Sequence, residues 1–108
     1  MKDSDRLFGS LELLILKTLS CGPNHGFGIT LHVETVSKGL LHMEEGSLYP
    51  ALHRLEKAGL VRGEWRQTEN GRRARVYTLT ASGRKRLAEN EANWSSASLG
   101  IERVLRFV

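Results

Sequence analysis

Apolar residues recur along this chain with two different periods, and the change of period divides it. In SLELLILKTL, residues 10–19, Leu11, Leu14, Ile15 and Thr18 share one helical face. Leu13 and Leu16 widen that apolar surface, so the spacing predicts a helix buried on more than one side. Ser10 is expected to cap it. The stretch SCGPN at 20–24 breaks the pattern, and Asn24 is expected to cap a second helix over 25–37. Its core stripe is Ile29, Val33 and Val36. Gly26 and Gly28 weaken its first turn, which close packing against the first helix would explain, and Gly39 marks its end.

A third helix opens between Glu44 and Ser47 in EGSLYPALHRLEKAGLV. Leu48, Leu52 and Leu55 fall together on it, flanked by Ala51 and Ala58. Pro50 has no N–H to donate and sits comfortably only in a first turn, so this helix must open late. Gly59 followed by apolar Leu60 predicts a Schellman-type ending. The period then becomes two. Residues 61–68 alternate, with Trp65 the largest side chain; Glu69, Asn70 and Gly71 supply a hairpin turn, and 73–79 is the return strand. Thr80 caps a last helix over 81–107. On it Leu87, Trp94, Ile101, Leu105 and Val108 keep near-heptad spacing, interrupted by Glu91 and Ser98. Such a helix is about 40 Å long, more than so small a core can cover. The stripe therefore predicts pairing with the same helix of a second chain through Leu87, Trp94, Ile101 and Leu105.

Composition adds boundaries. A chain of 108 residues suits one modest core, and no apolar run approaches the ~20 residues of a membrane helix. The start, MKDSDRLFGS, has no signal-peptide pattern. The single cysteine, Cys21, excludes an internal disulfide; a reducing cytoplasm and a small buried apolar role are expected for it. The net charge of +4 and pI near 9.6 favour an acidic partner such as nucleic acid.

Three helices followed by a β-hairpin make a mostly α fold of the winged helix-turn-helix plan, in which the third helix enters the major groove and the wing follows the backbone. Residues 1–80 would form the DNA-binding domain and 81–108 a C-terminal dimerisation helix. The polar face of the third helix carries Ser47, Tyr49, Pro50, His53, Arg54 and Lys57. Its hydroxyls and imidazole suit phosphates or base edges, and Arg54 and Lys57 supply charge. At the wing tip Arg72, Arg73 and Arg75 cluster, with Arg62 and Arg66 on the first strand and only Glu64 and Glu69 opposing them. That excess suits phosphate or minor-groove contact.

The words LELLILKTL, GPNHGFGI, EEGSLYPALHRLEKAGLV and ENGRRARVYTLTASG, with the Trp-bearing last helix, resemble the PadR family of bacterial transcriptional regulators. The match runs from about Ser10 to Leu105, and the length resembles the short subfamily with one long C-terminal helix. The resemblance implies a homodimeric repressor on a roughly palindromic operator. In some members it implies release by a small aromatic effector and control of a transporter. It places Ser47, Tyr49 and His53 among recognition-helix contacts, Arg72, Arg73 and Arg75 in the basic wing, and Trp94 at an aromatic position that lines a pocket at the dimer interface in multidrug-responsive members. Phe27 stands where many members have Tyr, which removes a hydroxyl.

Other readings are weaker. Ser47, His53 and Glu56 lie on different helical faces and no Gly-rich phosphate loop is present, so no catalytic residue is assigned. Cys21, His25, His32 and His42 do not make a closed tetrahedral zinc set, so no metal or other cofactor is expected. A winged helix can also serve as a protein-interaction module without specific DNA binding.

Overall fold

The computed structural model describes the backbone of residues 3–107 and the side chains of residues 10–107. Helix α1 (Asp3–Ser20) is followed by a short strand β1 (Asn24–His25) and helix α2 (Gly26–Val36). Helix α3 (Glu45–Lys57), strands β2 (Val61–Gln67) and β3 (Arg73–Leu79), and helix α4 (Ala81–Leu105) complete the order. The mostly α winged helix-turn-helix plan is present, with one addition. The sheet has three antiparallel strands in the order β1-β3-β2, because Asn24 pairs with Tyr77 and His25 with Val76.

Helix α1 is the central packing element. Ile15 and Leu16 are fully buried, and Thr18 satisfies its buried hydroxyl by donating to the Leu14 carbonyl at 2.8 Å. The helix begins well before residue 10, so Ser10 lies inside it and does not cap it. Cys21, expected to be buried, is exposed just past its end.

Asn24 does not cap α2; its side-chain oxygen instead accepts from the His25 N–H at 2.9 Å. The cap moves one residue on, to His25, whose Nδ1 accepts from the Gly28 N–H at 3.0 Å. Ile29 and Val33 are buried as expected, but Val36 is 66% exposed because the helix ends there and turns away. Gly26 makes room for α3 and not for α1: a Cβ at Gly26 would lie 2.6 Å from the Tyr49 hydroxyl. Gly28 is instead crowded by the Asn24 side chain. Two successive left-handed residues close α2, Lys38 at φ 56° and the expected Gly39 at φ 80°. The Lys38 and Gly39 N–H groups return to Thr35 and Glu34 carbonyls at 3.1 and 2.8 Å.

Helix α3 opens at Glu45, inside the expected window, which leaves Pro50 as its sixth residue, in the second turn. Proline there withholds the N–H that would bond the Gly46 carbonyl. Gly46 is exposed, so water can satisfy that oxygen. Leu48, Ala51, Leu52 and Leu55 form the buried face, while Ala58, at the C-cap, is exposed. The Schellman ending is present: Gly59 takes φ 77°, its N–H bonds the Glu56 carbonyl at 3.0 Å, and the Leu60 N–H bonds the Leu55 carbonyl at 2.9 Å.

The hairpin pairs Val61 with Leu79 through Gln67 with Arg73. Directly opposed residues share a face. Val61, Leu79 and Tyr77 are buried on one of them. Only Gly71 uses positive φ in the connecting turn. Thr80 caps α4 by accepting from the Gly83 N–H at 3.0 Å. The first turns of α4 lie on α1, tied by Asn90 donating to Glu12 at 2.6 Å and by Leu87, which is 6% exposed in the common core. Beyond Leu87 no described residue of α4 is buried, and the molecule extends to 58 Å along its long axis.

Candidate nucleic-acid interface

Burial of Leu48, Leu52 and Leu55 turns the opposite side of α3 outward. Ser47, Tyr49, Pro50, His53, Arg54 and Lys57 are all exposed on it. Among the described residues, the side chains of Ser47, His53, Arg54 and Lys57 make no hydrogen bond or ion pair, so their donors and charges are available. Tyr49 is different. It is 48% exposed, and one edge of its ring is seated against Gly26 at the start of α2. Its position is therefore set by packing while its other edge faces outward.

Along the core face of the hairpin, Leu79 opposite Val61 gives way to Tyr77 opposite Gly63, then to Arg75 opposite Trp65, then to Arg73 opposite Gln67. That face changes from buried aliphatic to exposed cationic as it leaves the core. Trp65 is 59% exposed, and the Arg73 and Arg75 guanidinium carbons lie 5.4 and 5.7 Å from its ring centroid, within cation–π range. Arg72 and Arg73 are exposed at the tip. On the other face, Arg62 and Arg66 both lean on Glu64, at 3.9 and 3.5 Å. Pairs this long and exposed leave most of the positive field in place.

Arg75 does not stand with the free cations. Its Nη2 donates to Glu56 Oε2 at 2.6 Å, and the two side chains are 33% and 30% exposed. Glu56 comes from α3, so this contact joins the helix to the wing. Tyr77, beside the pair, has its hydroxyl pKa raised, first by burial and then by the Glu56 charge, with Arg75 pulling it back down. Glu56 had no assigned role in the sequence, where its signal was one carboxylate on a helix otherwise basic toward its C-terminus.

On α4 the predicted pairing residues divide. Leu87 is enclosed by its own chain. Trp94, Ile101 and Leu105 are 43%, 53% and 78% exposed. Leu99, Val104 and Phe107 add exposed apolar surface that the heptad spacing did not select. Val108, the last residue of the predicted stripe, lies outside the described residues. A shallow groove of about 360 Å³ runs between Ser98, Ile101, Glu102, Leu105 and Arg106. No helix among the described residues is long and apolar enough to cross a membrane.

Comparison with known proteins bears on this arrangement. The model of the Transcriptional regulator PadR-like family matches residues 15–89. The chain is 37% identical over 81 residues to the transcriptional regulator Rv3488 of Mycobacterium tuberculosis, covering 75% of this chain and 72% of that one. It is 43% identical over 82 residues to an uncharacterized 37.1 kDa protein of transposon TN4556 from Streptomyces fradiae. That match takes in 76% of this chain but spans only 22% of the transposon protein. Among solved structures, a transcriptional regulator from Clostridium thermocellum superposes with a TM-score of 0.82 at 26% identity, covering 95% of this chain and 97% of that one.

Proposed function

The chain belongs to the PadR-like family of transcriptional regulators, DNA-binding proteins and not enzymes, and from that premise we propose that it is a homodimeric repressor acting in the cytoplasm on a roughly palindromic operator. In this reading residues 1–80 are the DNA-binding unit and 81–108 the pairing helix. Each α3 lies in a major groove, the two about one helical turn apart. Ser47, Tyr49, His53 and Arg54 face base edges, with Pro50 and Lys57 against the flanking backbone, and Arg72 and Arg73 carry the wing onto phosphates or into the minor groove.

The observation that carries the reading is the exposed face of α3. Among the described residues the side chains of Ser47, His53, Arg54 and Lys57 have no hydrogen-bond or ion-pair partner, and Arg72 and Arg73 at the wing tip are exposed as well. Pairing rests on α4. The face that holds Leu87 in the core runs on through Trp94, Ile101 and Leu105, which stay exposed with no cover from the described residues. A second α4 would cover it. Bound over a promoter, the dimer excludes transcription. A planar aromatic effector wedged against Trp94 would alter the separation of the two α3 helices. An error of a few ångströms there prevents both half-sites from being held at once, which is how a distant site would control DNA, and a transporter gene is the regulated target this reading expects.

The test is selection of bound duplexes from a random DNA pool at physiological salt. An inverted repeat with half-site centres about 10 base pairs apart is the expected result. Recovery of no motif would turn the exposed face of α3 into a surface for a protein partner.

A further inference from the structure

The wing has a weak foundation of its own. A two-stranded hairpin is marginal in isolation, and β1 supports only Val76 and Tyr77 in the middle of β3. Beyond Val76, toward the tip, the hairpin must be aimed by whatever its core face touches. That contact is the Glu56–Arg75 pair at 2.6 Å, which among the described residues is the only ion pair between α3 and the sheet. Arg75 is held on its other sides as well. Its guanidinium lies over the Trp65 ring and beside the Tyr77 hydroxyl. It also crosses Gly63 so closely that a Cβ there would meet Arg75 Nε at 2.8 Å. Trp65 in turn carries Arg73. A chain of contacts therefore runs from α3 through Glu56, Arg75 and Trp65 to the cation at the wing tip.

We propose that Glu56 and Arg75 form a brace that fixes the wing at one angle to α3, making them positioning residues for DNA specificity that themselves touch no base. The inference rests on the DNA-binding reading for its consequence and on geometry alone for the brace. Two readers on one rigid body add their contacts only if their separation is held. A wing free to pivot would still bear its charge, but Arg73 would no longer find one phosphate in one register. Arg75, from the sequence a DNA contact, belongs to the brace.

Two measurements test it. The first needs no DNA. Spin labels at Glu45→Cys on α3 and Asn70→Cys on the wing, in a Cys21→Ser background diluted into unlabelled chain, report the separation of helix and wing. The expected distance distribution is narrow for the otherwise native chain, broad for Glu56→Gln, and narrow again for the charge-swapped Glu56→Arg, Arg75→Glu chain. Gly63→Ala, which displaces the guanidinium and leaves both charges, should also broaden it. Circular dichroism confirms that each variant is folded before it is compared. An equally narrow distribution in Glu56→Gln and Gly63→Ala overturns the brace.

The second measurement is a double-mutant cycle on a selected duplex. Arg73→Ala should weaken binding about tenfold in the native background and less than about threefold in Glu56→Gln, with the swapped pair restoring the larger effect. An equal penalty in all backgrounds overturns the role in specificity while leaving the distances to decide the brace. If the native chain selects no motif at all, the DNA reading fails together with that role, and the spin-label result stands by itself.

Discussion

At the scale of single residues, several side chains hold positions their type alone would not suggest. Lys38 closes α2 with φ 56°, a conformation that crowds its Cβ, although glycine follows it directly. Lys38→Gly should therefore raise stability by about 0.5–1 kcal/mol, read as a higher urea midpoint at unchanged slope. A lower midpoint would show that the lysine side chain makes up for its strain. Tyr77 gives a pH signature. Burial and Glu56 raise its hydroxyl above the ordinary value of 10.0. In the alkaline range the native chain then holds this proton longer than the unfolded chain does. Its contribution is intact below the ordinary value and is lost as pH climbs through the raised one. As pH rises above 10.0 the native chain should lose stability more steeply than Tyr77→Phe. Parallel denaturation profiles for the two would remove the assignment. Neither feature was legible in the sequence. Lys38 beside Gly39 reads as an ordinary basic residue, and Tyr77 meets Glu56 only after 21 residues of chain have turned back.

At the scale of elements, period and punctuation marked out three helices, a hairpin and a long last helix. What they misplaced were ends. Ser10 is a good cap by type, but α1 already runs through it. Asn24 is a better cap than His25 by type, yet His25 accepts from the Gly28 N–H while the Asn24 side chain accepts from the His25 N–H. In both cases the residue type fits a cap and the observed helix start lies at another residue. The start of α4 shows a tertiary demand overriding local preference at Gly83. A Cβ at Gly83 would run into the Leu60 carbonyl and lie 2.6 Å from Leu79 Cδ1. Backbone cannot give way as a side-chain tip does, so Gly83→Ala should cost about 1–3 kcal/mol despite alanine's better helix propensity, as a thermal melt would register. A gain in melting temperature would mean that α4 shifts freely on the sheet.

At the scale of the whole molecule, α4 changes character along its length. Its first turns complete the core of their own chain, and the remainder carries Trp94, Ile101 and Leu105 into solvent. Truncation before Trp94 should leave a folded monomer by sedimentation, because Leu87 and the Asn90–Glu12 contact remain. A dimer that survives would place the pairing surface elsewhere. The cationic side of the molecule makes a separate prediction. Arg72→Ala with Arg73→Ala should weaken binding to all duplexes alike and flatten the slope of log affinity against log salt by about 2. An unaltered slope would put the wing off the DNA. Arg75 is left out of that pair because Glu56 already neutralises it.

By itself the amino-acid order determined the four main helices and the hairpin strands, which face of α3 is apolar, and that Gly59 and Leu60 end that helix. These follow from periods of about 3.6 and 2 and from turn chemistry, all of which act between residues near one another in the chain. It also placed the polar set of α3 outward, since burying Leu48, Leu52 and Leu55 leaves the other side no choice. Only the tertiary structure decided that β1 joins the sheet, that Leu87 faces inward while Trp94 does not, and that of three wing arginines Arg75 is tied to α3. Each of those depends on which distant groups meet. A 2.6 Å contact between residues 56 and 75 is a property of the folded geometry, which no repeat along the chain records.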